Sequence, residues 1–151
     1  MRIGTASLDD ADVRALITEH QRRMYESSPP GTSFALDLDG LRQPDITVIE
    51  AREGAELLGV AALKALSEAA GEIKSMRTTD GALRKGVGQA LLDALCEIGR
   101  ERDYAKLMLE TGQGPVFEAA NALYVKNGFL RREAFGDYRE TDFNIFYEKS
   151  L

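Results

Sequence analysis

The amino-acid sequence predicts an α/β (α+β) protein with a mixed, mostly antiparallel twisted sheet and helices on both faces. Two observations predict this class. Segments with apolar residues at helical spacing alternate with short apolar runs typical of strands, and three of these runs follow one another between turn signals, as in an antiparallel meander. At 151 residues the chain can bury about two thirds of its unfolded surface. We therefore expect residues 1–151 to form a single domain.

The N-terminal third is predicted to begin with a short strand over residues 1–7, followed by a helix that ends near Ser27. The apolar stripe of this helix includes His20, the one histidine of the chain. Residues 28–45 contain three prolines and little periodicity. Eighteen irregular residues exceed the usual length of a loop in a compact domain, so this stretch is either a functional loop or holds a short helix.

The remainder of the chain continues the alternation. Residues 46–52 and 56–66 predict a hairpin, and a strand over residues 71–79 completes the meander. Apolar residues at i, i+3, i+4 and i+7 predict a strong helix over residues 85–102. A strand follows at residues 105–110 and a helix at 116–127, and then one or two closing strands, the last over residues 143–149. The closing strand could present a pairing edge, which favours a homodimer.

Composition and charge narrow the classes of function. Hydrophobic residues make up 44% and charged residues 29%, and a net charge of −6 makes attraction to nucleic-acid phosphates unfavourable. No apolar run approaches the ~20 residues of a membrane helix, and residues 1–20 are too polar for a signal peptide. The single cysteine, Cys96, excludes an internal disulfide and a cysteine-based zinc site. We therefore expect a cytoplasmic protein with no metal and no nucleic-acid or membrane partner.

The most informative segment is a glycine turn at the start of the long helix. Gly86 and Gly88 follow a predicted strand and loop, and Arg84 and Lys85 add positive charge beside them. Helix N-termini expose unpaired N–H groups and attract phosphate, and glycine lets a phosphate approach the backbone. Simple turn geometry would also explain the two glycines. The segment is neither a Walker loop nor a Rossmann fingerprint, because the lysine–serine/threonine pair and the third glycine are absent.

This junction resembles the signature of the GNAT superfamily of N-acetyltransferases, in which Gln/Arg-x-x-Gly-x-Gly/Ala joins a strand to a helix. Gly86 and Gly88 match the two small positions, whereas Leu83 stands at the Gln/Arg position and Arg84 follows one place later. The resemblance implies that loop amides hold the pyrophosphate of acetyl-CoA, the co-substrate of the family. The residues that it assigns to this site are Arg84, Lys85, Gly86, Val87, Gly88 and Gln89.

The preceding strand resembles the family strand whose backbone lines the acetyl-pantetheine arm. The resemblance implies that Met76, Arg77 and Thr78 lie beside the thioester. It extends over most of the chain and is greatest to small bacterial members that share the segments EIKSMRT, LETG and F-x-D-Y, here residues 72–78, 109–112 and 135–138.

Residues 121–129 resemble the family helix that carries a coenzyme-contacting asparagine and a tyrosine beside the sulfur. Asn121 and Tyr124 stand at these positions, three residues apart on one helix face. Tyr124 is the candidate general acid, since a leaving thiolate needs only modest help from a proton donor. A core aromatic residue is the alternative for Tyr124.

An amine acceptor requires a group that takes its proton. An alkylamine with a pKa near 10.4 is uncharged in only about one molecule in 2,500 at pH 7. Glu72 matches the strand position at which some family members place a glutamate base, although it could be an ordinary strand residue neutralised by Lys74. Strand alternation predicts that Glu72, Lys74 and Met76 project to one side. His20 is the second candidate, with a packed core histidine as the alternative.

The resemblance also implies that the long loop borders the acceptor site. Asp37 and Asp39 are therefore candidates to hold a substrate cation, and helix capping or solvation explains them equally well. Tyr25, Phe135 and Tyr138 could wall the pocket or pack elsewhere. The function expected is acetyl transfer from acetyl-CoA to a primary amine of a small molecule or amino-acid derivative. The alternatives are acetylation of a protein N-terminus or lysine, and an acyl-CoA sensor without turnover.

Overall fold

The computed structural model describes all residues from 1 to 151. Four helices and seven strands alternate in the predicted order. The helices are α1 (Ala11–Glu26), α2 (Leu38–Leu41), α3 (Val87–Glu101) and α4 (Glu118–Lys126). The strands are β1 (Arg2–Thr5), β2 (Ile46–Glu53), β3 (Glu56–Ala65), β4 (Ala70–Thr78), β5 (Lys106–Thr111), β6 (Leu130–Arg132) and β7 (Ile145–Ser150). No helix is both long enough and apolar enough to span a membrane.

The strands form one sheet in the order β1-β2-β3-β4-β5-β7-β6. Every neighbouring pair is antiparallel except β4 and β5, which are parallel. The mixed, mostly antiparallel sheet is therefore confirmed. The expectation of a free edge on the C-terminal strand is wrong, because β7 lies between β5 and β6 and the edges are β1 and β6.

Helices cover both faces of the sheet, as predicted. On one face α3 and α4 pack on the strands through a core of 19 buried residues that includes Leu91, Leu95 and Tyr124. On the other face α1 and α2 pack through a smaller core that includes Val13, Ile17 and Leu41. We call these two sides of the sheet the α3 face and the α1 face.

The long segment before β2 holds one short helix, α2, which satisfies the second of the two alternatives drawn from the sequence. Asp37 precedes α2 and accepts a hydrogen bond from the backbone N–H of Gly40 at 2.8 Å. This contact is an N-cap, in which a carboxylate oxygen satisfies an N–H group of the first turn.

A bulge interrupts β4 and changes which side chains share a face. Lys74 pairs with Ala62 and Arg77 pairs with Val60, so that two residues of β4 lie opposite the single Ala61 of β3. At the bulge, Ser75 has a positive φ of 51°. The expectation that Met76 projects with Glu72 and Lys74 is therefore wrong, because a bulge shifts the alternation by one residue. Met76 packs on the α3 face and Arg77 takes the α1 face.

The parallel pair β4 and β5 is joined over only part of its length. Its register runs from Ala70 opposite Lys106 to Ile73 opposite Leu109 and then stops. Beyond that point β4 continues to Thr78 and β5 to Thr111, but the two strands no longer pair with each other. The two strands therefore part at their carboxyl ends and leave an opening in the middle of the sheet.

Candidate active site

A cleft occupies the opening between β4 and β5 and is lined from both faces of the sheet. Residues of α1 and of the following loop line it on one side, among them His20, Met24 and Phe34. Residues of α4 and its entry turn line it on the other side, among them Phe117 and Tyr124. The walls are the end of β4, from Glu72 to Arg77, and the end of β5, from Glu110 to Gly112.

The glycine turn presents a run of free backbone donors at the start of α3. The backbone N–H groups of residues 84–89 donate to no backbone group, and the first bonded amide is that of Ala90, which donates to the carbonyl of Gly86 at 3.0 Å. Gly86 adopts a left-handed conformation with φ of 79°, and no atom lies within 4 Å of the position that a Cβ would take. Open space, free amides and a helix N-terminus together fit a pyrophosphate.

The second glycine of the turn has a packing role. A Cβ on Gly88 would lie 3.3 Å from Cδ2 of Leu123, so glycine lets α3 approach α4. Val87 is buried beneath β3, where a Cβ on Gly59 would meet Cγ1 of Val87 at 2.9 Å. The side chain of Gln89 is bound to Asn127 at 2.7 Å. These contacts fix the helix start and leave the backbone amides as the part of the turn that can meet a ligand.

Glu72 lies deep in the cleft in a closed network. It is 3% exposed, and its Oε2 accepts a hydrogen bond from the hydroxyl of Tyr138 at 2.5 Å. The ammonium group of Lys74 donates to the same hydroxyl at 3.0 Å and lies 3.6 Å from Glu72 Oε2. Burial and the neighbouring carboxylate raise the pKa of Tyr138, so that its hydroxyl stays a donor. The predicted neutralisation of Glu72 by Lys74 is thus present.

Glu110 is a second carboxylate in the cleft, and the sequence reasoning did not single it out. Its Oε2 accepts a hydrogen bond from Nδ2 of Asn144 at 2.7 Å, and Asn144 itself is anchored by the Thr32 carbonyl at 3.0 Å. Burial raises the pKa of Glu110 to about 7, assisted by the charge of Glu72 and opposed by the Asn144 hydrogen bond and by Lys74. A carboxylate with this pKa can take a proton at neutral pH.

Tyr124 reaches the cleft from α4. Its side chain is 7% exposed, and its hydroxyl lies 3.9 Å from the sulfur of Met76. Burial raises the pKa of Tyr124 to about 12, and the charge of Glu110 adds to the shift. The phenol therefore remains protonated at neutral pH and can donate a hydrogen bond.

His20 lines the cleft from α1 and is buried. Its Nδ1 has no hydrogen-bond partner. Burial lowers the pKa of His20 to about 4, and the nearby Arg77 guanidinium contributes in the same direction. The imidazole is neutral at physiological pH, which leaves it able to exchange hydrogen bonds with a ligand but weak as a proton acceptor.

Five further sequence-predicted residues do not line the cleft. Asn121 donates to the carbonyls of Gly112 at 3.0 Å and Phe117 at 2.9 Å and accepts from the Tyr147 hydroxyl at 2.9 Å, so it joins α4 to the end of β5. The cleft does not include Tyr25, Asp37, Asp39 or Phe135 among its lining residues. Tyr25 is 73% exposed, and Phe135 packs against Phe146 beside Tyr138.

A local signal for Glu110 does exist in the sequence. It stands at the end of a short apolar strand, in the LETG segment, where polar residues follow three buried ones. Its importance depends on β5 lying beside β4 and parting from it at this point. That adjacency is a property of the sheet and cannot be read from either strand alone.

A family comparison agrees with the geometry of the cleft and the glycine turn. The model of the acetyltransferase (GNAT) family matches residues 13–129, which include the glycine turn and every residue lining the cleft except Phe143. The chain belongs to the GNAT family. It is therefore an acetyl-CoA-dependent N-acetyltransferase, and acetyl-CoA is its co-substrate.

Two curated relatives extend the likeness to the whole chain. An uncharacterized N-acetyltransferase of Bacillus subtilis, YsnE, is 44% identical over 100% of both chains. A second uncharacterized N-acetyltransferase, YedL of Escherichia coli, is 42% identical over 99% of this GNAT protein and 94% of the relative.

Solved structures show the same fold. An aminoglycoside 6'-N-acetyltransferase crystallised with coenzyme A superposes with a TM-score of 0.73 at 14% identity, covering 99% of this chain and 97% of that one. A Klebsiella pneumoniae protein named for a supposed acyl-CoA N-acyltransferase activity superposes with a TM-score of 0.80 at 29% identity, over 99% of this chain and 97% of that one.

Proposed function

We propose that residues 1–151 form one acetyltransferase domain that acetylates a primary amine of a small molecule or amino-acid derivative in the cleft between β4 and β5. One observation carries this proposal: Glu110, with a pKa of about 7, and Tyr124, with a pKa of about 12, line the same cleft. The first can take a proton at neutral pH, and the second stays protonated and can donate a hydrogen bond to the leaving sulfur.

In this proposal the free amides of residues 84–89 hold the pyrophosphate of the coenzyme. Gly86 keeps the turn open, and the side chains of Arg84 and Lys85 add positive charge at its rim. In the same proposal the backbone from Met76 to Thr78 lies beside the pantetheine arm and the phenol of Tyr124 beside the sulfur, and Met76 and Tyr124 line the cleft. When bound, acetyl-CoA supplies an acetyl thioester as the electrophile.

Glu110 acts as the proton acceptor for the amine. A protonated amine at pH 7 is separated from its reactive form by ~3.4 pKa units, or roughly 4.6 kcal/mol, so a carboxylate that can accept its proton lowers the barrier. The role passes from Glu72 to Glu110 because Oε2 of Glu72 is already engaged by Tyr138 and Lys74. Glu72 is then a positioning residue, which fixes Tyr138 by a hydrogen bond and Lys74 by an ion pair.

Tyr124 serves as the proton donor to the leaving sulfur. Its raised pKa keeps the phenol protonated, so that it donates a hydrogen bond to the departing thiolate, which with a pKa near 8.5 needs little further help. Asn121 supports this arrangement from one helical turn away by tying α4 to β5, and His20 borders the acceptor half of the cleft. Neither of these two residues needs to change its protonation state.

The experiment is a screen of free-thiol release from acetyl-CoA against a library of small amines, with the product identified by mass. Acetylated small amines, formed at rates that fall when Glu110 is changed to Gln, are the expected result. Transfer confined to peptide N-termini or protein lysines would contradict the small-acceptor proposal. Tight binding of acetyl-CoA without transfer to any acceptor would indicate a sensor and contradict the catalytic proposal.

A further inference from the structure

We propose that Arg77 and His20 on the α1 face of the cleft, with Ser75 beside them at the bulge, form an anion subsite that binds the carboxylate of the acceptor. The acceptor class is then a small amine that also carries a carboxylate, as in an amino acid. This inference rests on the proposed function and specifies the substrate class of the same site.

Arg77 is a largely buried cation without a close partner. Its side chain is 17% exposed, and the nearest carboxylate oxygen, on Asp80, lies 4.0 Å away. Both oxygens of Asp80 are already engaged by Arg23, at 3.1 and 2.9 Å. No intramolecular hydrogen bond uses the Arg77 guanidinium, which offers five N–H donors in a planar fork that suits a carboxylate.

Two further polar groups in the cleft are buried and unpartnered. Oγ of Ser75 and Nδ1 of His20 have no hydrogen-bond partner. Both residues line the same cleft as Arg77. A buried polar group without a partner is unfavourable, and a bound anion would satisfy a hydroxyl, an imidazole N–H and a guanidinium together.

The bulge in β4 explains how Arg77 comes to the same side of the sheet as α1 and His20. Arg77 pairs with Val60, which belongs to the core beneath α1, whereas Met76 packs on the α3 face with Tyr124. Ser75 holds the strained positive φ that makes the shift. Strained backbone at a bulge beside a cleft is typical of a functional position. The Arg77 side chain therefore faces the α1 side of the cleft, where we place the acceptor, away from the α3 face that carries the glycine turn.

The charges along the cleft match an acceptor with opposite charges at its two ends. Lys74 is paired with Glu72 and Tyr138, so Arg77 is the one cation of the lining without a close counter-charge. Glu110 offers a carboxylate to the amine, as argued above. A carboxylate at Arg77 and an amine at Glu110 would leave no buried charge uncompensated.

The test compares matched acceptors: an amino acid, its carboxamide and the corresponding decarboxylated amine. The value measured is kcat/KM for thiol release, in the wild type and in Arg77→Gln. We expect the preference for the acid over the amide to fall about 10- to 100-fold in the variant, the value of a charged hydrogen-bonded contact. Comparing the ratio between two proteins cancels the different basicity of the amines.

Three controls separate a binding role from a structural one. Arg77→Lys keeps the positive charge but lacks the planar pair of guanidinium donors, so it should retain part of the preference for the acid that Arg77→Gln loses. Ser75→Ala should reduce the same preference by a smaller factor. Arg22→Gln removes an exposed charge from α1, outside the cleft, and should leave the preference unchanged.

The outcomes distinguish a failure of the anion subsite from a failure of the proposed function. An acid-to-amide ratio that is unchanged in Arg77→Gln, with transfer intact, overturns the subsite and leaves the proposed function standing. A raised KM for acetyl-CoA with an unchanged ratio would assign Arg77 to the coenzyme instead. Absence of transfer to every acceptor in the wild type would contradict the proposed function as well as the subsite.

Discussion

Glu72 and Glu110 lie on the same face of the sheet, yet their carboxylates have different surroundings. Glu72 receives a tyrosine hydroxyl and faces an ammonium group, whereas Glu110 receives one asparagine amide and loses most of its contact with solvent. A buried carboxylate with few donors holds its proton to a higher pH. At the scale of single residues, this contrast is the reason that we propose Glu110 rather than Glu72 as the base.

The raised pKa of Glu110 predicts a pH-dependent stability difference. The folded protein holds this proton up to about pH 7, whereas the unfolded chain releases it near 4.5, so folded stability is lost as the pH rises through this window. Glu110→Gln cannot titrate. We expect the variant to gain about 3 kcal/mol relative to the wild type between pH 4.5 and pH 8.

Denaturant unfolding at several pH values measures this gain. His20 also titrates in the window, with its pKa lowered to about 4, but it is present in both proteins and its effect cancels in the difference. The same substitution at the exposed Glu97 is the control. A difference between Glu110→Gln and wild type that is flat with pH would rule out the raised pKa.

Tyr124→Phe tests the proton donor. We expect kcat to fall by up to about 10²-fold while the affinity for acetyl-CoA changes little, because only the hydroxyl is removed. Tyr104→Phe is the matched control, since Tyr104 belongs to the same core and lies outside the cleft. Equal losses in the two variants would indicate that Tyr124 is a packing residue.

The limits of sequence reasoning differ between these residues. Glu72 and Tyr124 were found through their segments and His20 as the one histidine on an apolar helix stripe, and all three line the cleft. Glu110 was not found, because its raised pKa arises from burial by distant segments and from the charge of Glu72, neither of which its local sequence shows. Asp37 is the reverse case: it was proposed as a substrate-binding carboxylate or a helix cap, and its N-cap hydrogen bond in the structure accounts for it.

At the scale of elements, the glycine turn is the strongest prediction from the sequence. Gly86 has φ of 79°, which a side chain strains, and Gly54 in the β2–β3 turn has φ of 58° with equally open surroundings. We expect Gly86→Ala and Gly54→Ala to lower stability similarly, by about 1 kcal/mol. Only Gly86→Ala should weaken coenzyme A binding, as measured by calorimetry, because only that turn presents the free amides. Equal affinity in both variants would separate the turn from the cofactor.

The bulge in β4 is an element that local patterns did not reveal. Alternation within the sequence EIKSMRT predicts that Met76 follows Lys74 on one face, and the structure puts Arg77 there instead. A bulge depends on the pairing of two strands, and neither a proline nor a glycine marks this one. The residues that we propose for the acceptor were therefore harder to predict from the sequence than those that we propose for the coenzyme.

At the scale of the whole molecule, the sequence predicted the order of elements and the mixed sheet. Periodicity and turn residues are local signals, and the helices and strands of the structure lie where these signals predict them. The position of β7 between β5 and β6 was not predicted, because strand order depends on long-range contacts. Because of this placement β5 pairs with β7 along its whole length, while the carboxyl end of β5 separates from β4.

Coenzyme binding should stabilise the entire fold. A ligand that binds only the folded state at 100 times its Kd contributes about 2.7 kcal/mol, which for a chain of this size raises Tm by about 5–10 °C. Acetyl-CoA should produce this shift in a thermal melt, and pantetheine, which lacks the pyrophosphate, should produce a smaller one. Equal shifts from the two compounds would contradict a pyrophosphate site at the start of α3.

The pH dependence of acetyl transfer, measured as kcat/KM for the best amine acceptor, tests the central role of Glu110 most directly. The wild type should show an ascending limb with an apparent pKa of about 7, the pKa of Glu110 in the cleft. In Glu110→Gln that limb should disappear and the rate at neutral pH should fall by about 10²–10⁴-fold. An ascending limb that persists near pH 7 in Glu110→Gln, at an undiminished rate, would contradict the account.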